Sequence, residues 1–170
     1  MRNKKACIWF GLTLLWMAVI FLFSSQNAAD SSALSGGITE WLTKLIHKEF
    51  HIFSPSYQQE VLGRVSFFIR KTAHFTEYAI LGFLFSGWLN SMVNLKGAPI
   101  KRNIIVWILG TLYAVSDEIH QNFSDGRAPR CFDVCIDSVG VIAGILIFFL
   151  VCRILLWYIK YVKARKHCKK

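Results

Sequence analysis

The run Ser116-Asp117-Glu118-Ile119-His120-Gln121 sets two carboxylates, an imidazole and an amide in less than two helical turns, directly after the apolar stretch from Ile104 to Val115. Apolar surroundings penalise charge heavily, so such residues at the end of a hydrophobic segment need partners or a function. Two other apolar segments begin in the same way. Lys71, His74 and Glu77 open one, and Asp133 and Asp137 open another. Carboxylates beside imidazoles can act as general acid and base, and carboxylates from several helices can hold a hard cation. Lysine and arginine (Lys71, Arg127, Arg130) can grip phosphate through charge-assisted hydrogen bonds.

Helical geometry allows these residues to meet. At about 100° per residue, Asp117, His120 and Gln121 fall on one side of a helix with Glu118 at its flank, and Ile119 and Phe123 take the other side. His74, Tyr78, Leu81 and Phe85 form a second stripe, with Glu77 beside it. Asp133, Asp137, Gly140 and Gly144 lie nearly in line on a third. Gly140-Val141-Ile142-Ala143-Gly144 is a small-xxx-small pattern, which lets helix backbones approach closely in lipid. One face therefore carries both the carboxylates and the packing glycines.

The elements that must position these residues are long apolar runs. Apolar residues make up 54% of the chain, above the usual level for a soluble domain, and they are clumped. A bilayer-spanning helix needs about 20 mostly apolar residues. Four windows come close: residues 7–23, 72–93, 103–123 and 134–158, the third being the most polar. The expected fold is all-α, a single membrane domain over residues 1–170 built as a bundle of four transmembrane helices.

Charge sets the expected orientation. The formal net charge is +10. Arg2, Lys4 and Lys5 precede the first window; Lys96, Lys101 and Arg102 separate the second and third; Lys160, Lys163, Arg165, Lys166, Lys169 and Lys170 follow or end the fourth. No acid accompanies these groups, and every Asp and Glu from Asp30 to Asp137 falls on the other side. The positive-inside rule then expects a multi-pass cell-membrane protein with both termini cytoplasmic. The basic tail is explained by topology and anionic lipid, so no nucleic-acid partner is expected. A secretory signal in the first window, with Asn27-Ala28-Ala29 as a poor cleavage site, is the weaker reading because the apolar run is long for one.

Residues 24–71 form the only sizeable extramembrane segment. Ile38, Trp41, Leu42, Leu45 and Ile46 share a helical face, and after Ser54-Pro55, a plausible helix start, Tyr57, Val61, Leu62, Val65, Phe68 and Ile69 repeat the pattern. Two amphipathic helices lying in the outer interface are expected here, with a lid over the polar site as the sharper alternative. No repeat, low-complexity linker or second domain is visible.

Several separated motifs in order resemble the VanZ-like membrane proteins, named for a teicoplanin-resistance determinant. They are Trp16 with Phe23-Ser24-Ser25-Gln26, Lys71-Thr72-Ala73-His74-Phe75-Thr76-Glu77-Tyr78, Ser116-Asp117-Glu118-Ile119-His120-Gln121, Gly126-Arg127, and Asp133 with Asp137, Gly140 and Gly144. The family often has Pro before Gly-Arg, where this chain has Ser124-Asp125. The resemblance implies a bacterial cell-envelope protein with four or more spans and a link to glycopeptide susceptibility. It implies no particular reaction.

The chemistry stays open between four readings. Glu77, Asp117, Glu118, Asp133 and Asp137 with His74 and His120 could bind a divalent cation, although the spacing matches no named metal motif. His74, Glu77, Asp117, Glu118 and His120 could instead supply acid–base catalysis on a membrane lipid or lipid-linked wall precursor. Lys71, Gln121, Arg127, Asp133 and Asp137 would then bind that ligand. Third, the charges could neutralise one another as a structural or ligand-binding network. The fourth reading is an ion or proton pathway. With no recognisable nucleophile motif, whether the protein is an enzyme is left undecided. Ser24 and Ser25 are read as an interfacial turn rather than nucleophiles. Cys131 and Cys135, four apart on a helix, suit neither an internal disulfide nor a standard zinc pair. The functional expectation is an outward-facing polar pocket that binds or modifies an anionic lipid or lipid-linked wall component, with a non-catalytic scaffold as the alternative.

Overall fold

The computed structural model describes residues 2–25, 28–92, 99–121 and 131–167, with side chains described over 4–25, 36–92, 99–121 and 131–165. Among these residues are five α-helices and no strand: α1 (Arg2–Ser24), α2 (Ala28–Ile46), α3 (Pro55–Met92), α4 (Pro99–Gln121) and α5 (Cys131–His167), with a 3-10 turn at Phe50–Ile52 between α2 and α3. The all-helical expectation holds.

Two boundaries differ from the expected ones for physical reasons. The helix that begins at Pro55 does not stop before residue 72 but runs unbroken to Met92. Ser54 caps its start, accepting from the Tyr57 amide at 3.4 Å through Oγ and from the Gln58 amide at 2.9 Å through its carbonyl. Arg70-Lys71-Thr72 interrupts the hydropathy but contains neither proline nor glycine, and polarity alone does not break a helix. The second outer helix is thus the first part of α3. Likewise α5 continues past residue 158 to His167. At 1.5 Å per residue α3 and α5 are each about 55 Å long, well beyond a hydrocarbon core of about 30 Å.

Helices α1, α3, α4 and α5 pack together. Trp16 of α1 lies beside Glu77 of α3 and Trp9 beside Gly87, so these two run antiparallel. Gly140 and Gly144 of α5 meet Phe75 and Ala79 of α3, so these run parallel. Helix α4 runs back alongside α1, with Tyr113 at Met17 and Asp117 at Ser24. The C-terminal ends of α1 and α4 therefore meet the N-terminal end of α5 and the middle of α3. The basic ends gather at the opposite pole. Helix α2 packs chiefly against α3, where Thr39, Thr43, Phe50 and Val61 are buried.

The core is small and comes from four helices: Ile20, Tyr78, Leu81, Phe85, Val106, Ala114, Val141 and Ile145. Outside it, leucines such as Leu15, Leu22, Leu112 and Leu146 are more than 60% exposed. So much contiguous apolar surface suits a lipid solvent rather than water. By length and composition, α1 and α5 are the helices apolar enough to cross a bilayer among the described residues. Helices α3 and α4, which contain the second and third expected windows, do not reach that standard. Polar residues such as Glu77, Ser86 and Asn90 in α3, and Asp117 and Glu118 in α4, dilute them.

Candidate functional site

Asp117 is the centre of the polar cluster. Only 4% of it is exposed, in keeping with the helical face that also buries Glu118 and Gln121 while leaving Ile119 57% exposed. Ser24, the last residue of α1, donates its hydroxyl to Asp117 Oδ2 at 2.8 Å. Gln121 Nε2 donates to the same oxygen at 3.1 Å and also to Ser24 Oγ. The three side chains close a buried triangle between α1 and α4. Fully buried Tyr78 brings its hydroxyl close to Asp117, without meeting hydrogen-bond geometry.

His120 lies one step further out. Its ring stacks on Phe21 with centroids 4.3 Å apart, and its Nε2 sits 3.1 Å from Ser25 Oγ. A nucleophilic serine would have to hand its proton to this imidazole. Ser25 instead donates it to the Phe21 carbonyl at 2.7 Å, which leaves Nε2–H as the donor towards Ser25. The pair is therefore arranged as a tie between α1 and α4 and not as an activated nucleophile.

Helices α3 and α5 bring the remaining expected residues. Lys71 and Asp133 form an ion pair, with 17% and 20% of their side chains exposed. His74 Nδ1 lies 3.9 Å from Glu77 Oε2. Asp137 is 3% exposed, and its Oδ1 has no hydrogen-bond partner among the described residues. Its acidic neighbours are Asp117, Asp133, Glu118 and Glu77. Among the described residues, no three His, Cys, Asp or Glu side chains come close enough to hold one metal ion. Arg127 and Arg130 lie outside the described residues, as do Gly126 and Phe123. Cys131 and Cys135 are exposed, free thiols.

The glycine stripe of α5 sets how deeply the acidic residues are held. A Cβ on Gly140 would fall 2.5 Å from the Phe75 carbonyl oxygen, and one on Gly144 would strike the Ala79 carbonyl oxygen. Close approach at these two positions lowers Asp137, on the same stripe, into the space between α3 and α4. Further along the α4–α5 contact, Trp107 Nε1 donates to Ser138 Oγ at 2.8 Å and Thr111 bonds the same hydroxyl at 3.0 Å.

Sequence reasoning missed several participants. Ser24 and Ser25, read as an interfacial turn, are hydrogen-bonded members of the cluster. Tyr78 was placed on the bundle face, but not beside Asp117. Trp16 donates from Nε1 to the Glu77 carbonyl at 2.9 Å, and Tyr113 donates to the Met17 carbonyl at 2.7 Å. The available signal for Trp16, Ser24 and Ser25 was their place in the motif set.

Fold and cluster together define a class: an all-helical protein with a lipid-compatible surface whose buried carboxylates gather at one pole. The chain belongs to the VanZ/LLP1 family, whose description matches residues 9–153 and so takes in every member of the cluster. No curated protein and no solved structure gives a significant match.

Proposed function

We propose that the chain is a VanZ-like cell-envelope protein that crosses the membrane with α1, the C-terminal part of α3, α4 and α5, and keeps both termini on the cytoplasmic side. Its polar cluster faces the outer leaflet, where it binds or modifies the head group of an anionic lipid or lipid-linked wall component and thereby alters glycopeptide susceptibility. One observation supports this reading: side chains from four helices converge at the pole opposite the basic helix ends, and buried Asp137 keeps one oxygen without a partner among the described residues. A purely structural network would be expected to satisfy that atom.

Single-cysteine labelling at Asn27, Gly97, Gly126 and Lys170 tests the topology. External labelling at Gly97 or Lys170 refutes it. For the site, Glu77→Gln, Asp117→Asn and His120→Ala are expected each to abolish the susceptibility phenotype in a glycopeptide-sensitive bacterial host, with membrane abundance near wild type. Full activity in all three removes the site. Incubation of the purified protein with labelled lipids and wall precursors, with and without chelator, separates the chemistry. New products identify an enzyme, and saturable binding without products identifies a binder.

A second reading, a non-catalytic scaffold, is favoured by the Lys71–Asp133 pair and the satisfied Asp117 oxygen. It expects abundance to fall together with activity, and a Glu77→Gln, Asp117→Asn double variant to recover in part because fewer charges are stranded.

A further inference from the structure

At the pole opposite the polar cluster, α5 carries a groove of about 430 Å³ lined by Arg153, Ile154, Leu156, Trp157 and Lys160. At about 100° per residue, Arg153, Leu156, Trp157 and Lys160 fall within about 100° of one another, with Ile154 at the margin. The two cations are about 10 Å apart along the axis, with the indole between them. Arg153 also sits over the Phe149 ring at 5.5 Å, which fixes its stem against the helix. Trp157 and Lys160 lie beyond the residues that the family description matches.

We propose that this groove is a docking site for an anionic phospholipid of the leaflet facing the basic pole, its phosphate held between Arg153 and Lys160 and its acyl chain lying along Ile154, Leu156 and Trp157. Charge complementarity argues for this occupant. No acidic residue follows Asp137 in the chain, so nothing on this half of α5 offers the two cations an internal partner. Arg102 of α4, at the level of Cys152, adds positive potential and is hydrogen-bonded to Asn90 at 2.6 Å. The depth also fits: α5 is apolar enough to cross the bilayer, and the groove lies where its apolar run gives way to lysines. Arginine and lysine stems can lie in the acyl region while their charged ends reach the phosphate plane. Indole rings favour the same interface. This site is independent of the polar cluster, and its failure would leave that reading untouched.

The test uses the full chain in vesicles containing brominated acyl chains, which quench tryptophan on contact. The chain has six tryptophans, so the Trp157 signal is taken as the difference between wild type and Trp157→Phe. Brominated phosphatidylglycerol and brominated phosphatidylcholine are compared at equal mole fraction. Each cation near a lipid surface contributes about 1 kcal/mol, or roughly fivefold in anionic-lipid affinity. Wild type is expected to prefer phosphatidylglycerol by about twenty-five-fold, and R153Q/K160Q to lose that preference. R153K/K160R should keep most of it. The control K4Q/R165Q removes equal charge from the same pole, with Arg165 about 120° away from Arg153, and should behave as wild type. Equal quenching by both lipids in wild type overturns the proposal. So does equal loss in the control pair, which would mean diffuse basic attraction without a site.

Discussion

The seam between α3 and α5 and the seam between α1 and α4 are held by different physics. Against α5 the contact is steric: Gly140, Gly144 and Gly82 bring backbone against backbone, and Val141 fits into the space at Gly82 and Gly110. Between α1 and α4 the contacts are polar: Tyr113 reaches the Met17 carbonyl, and Ser24 and Ser25 meet Asp117 and His120, while Trp16 ties the same helix to the Glu77 carbonyl of α3. Lipid tails are as apolar as leucine, so the hydrophobic effect does not drive helices together within a bilayer. Close van der Waals packing and interhelical hydrogen bonds have to do so, and this chain gives each the larger part in a different seam. The glycine stripe of the steric side should be intolerant of added volume and indifferent to chemistry, whereas the Lys71–Asp133 pair at its end is sensitive to charge. The polar side should show the reverse.

Gly144→Leu gives the sharpest test of the steric side. A branched side chain aimed at the Ala79 carbonyl has no flexible neighbour to displace, so the cost should reach or exceed the upper end of the usual roughly 1–3 kcal/mol for overpacking. Loss of most monodisperse protein after detergent extraction is expected. Ile147→Leu, at an exposed position about 60° off the glycine stripe, should stay near wild type. Equal tolerance at both would show that the stripe faces lipid.

Lys71→Met should have an intermediate effect. The pair with Asp133 is partly exposed, so stranding the carboxylate should cost less than the roughly 3–5 kcal/mol of a fully buried pair. A drop of about 1–2 kcal/mol in thermal-stability assays is expected, and Lys71→Met with Asp133→Leu should regain part of it. If the double variant is as unstable as the sum of the two singles, the pair is not coupled.

The smallest effects belong to the single hydrogen bonds on the polar side. Tyr113→Phe and Trp16→Phe each remove one interhelical donor, worth about 0.6 kcal/mol on average within membranes. Each should lower the thermal midpoint slightly while abundance stays normal. An effect as large as that of Gly144→Leu would erase the contrast between the two sides.

Much of this arrangement was legible in order along the chain. Apolar windows marked the helices that form the bundle, and the segregation of Arg2, Lys4, Lys101 and Lys160 from Glu77, Asp117 and Asp137 placed the carboxylates at one pole and these basic residues at the other. A one-dimensional pattern reports the angle of a residue about its own helix, so Asp117 and Gln121 could be assigned to a face, and Gly140 and Gly144 to a seam. The same pattern was misleading at Arg70-Lys71-Thr72, where hydropathy suggested a boundary that backbone propensity did not support.

Rotation of one helix against another is not written in either one's periodicity, because it depends on which side chains can interlock. Tertiary packing alone therefore decided that Ser24 at the end of α1 completes the shell of Asp117. It turned the Ser25 hydroxyl to the Phe21 carbonyl and brought the Tyr78 hydroxyl against Asp117. Packing also left one oxygen of Asp137 without a partner among the described residues. The sequence by itself determined which residues could meet; the fit of α5 glycines into α3 determined which of them did.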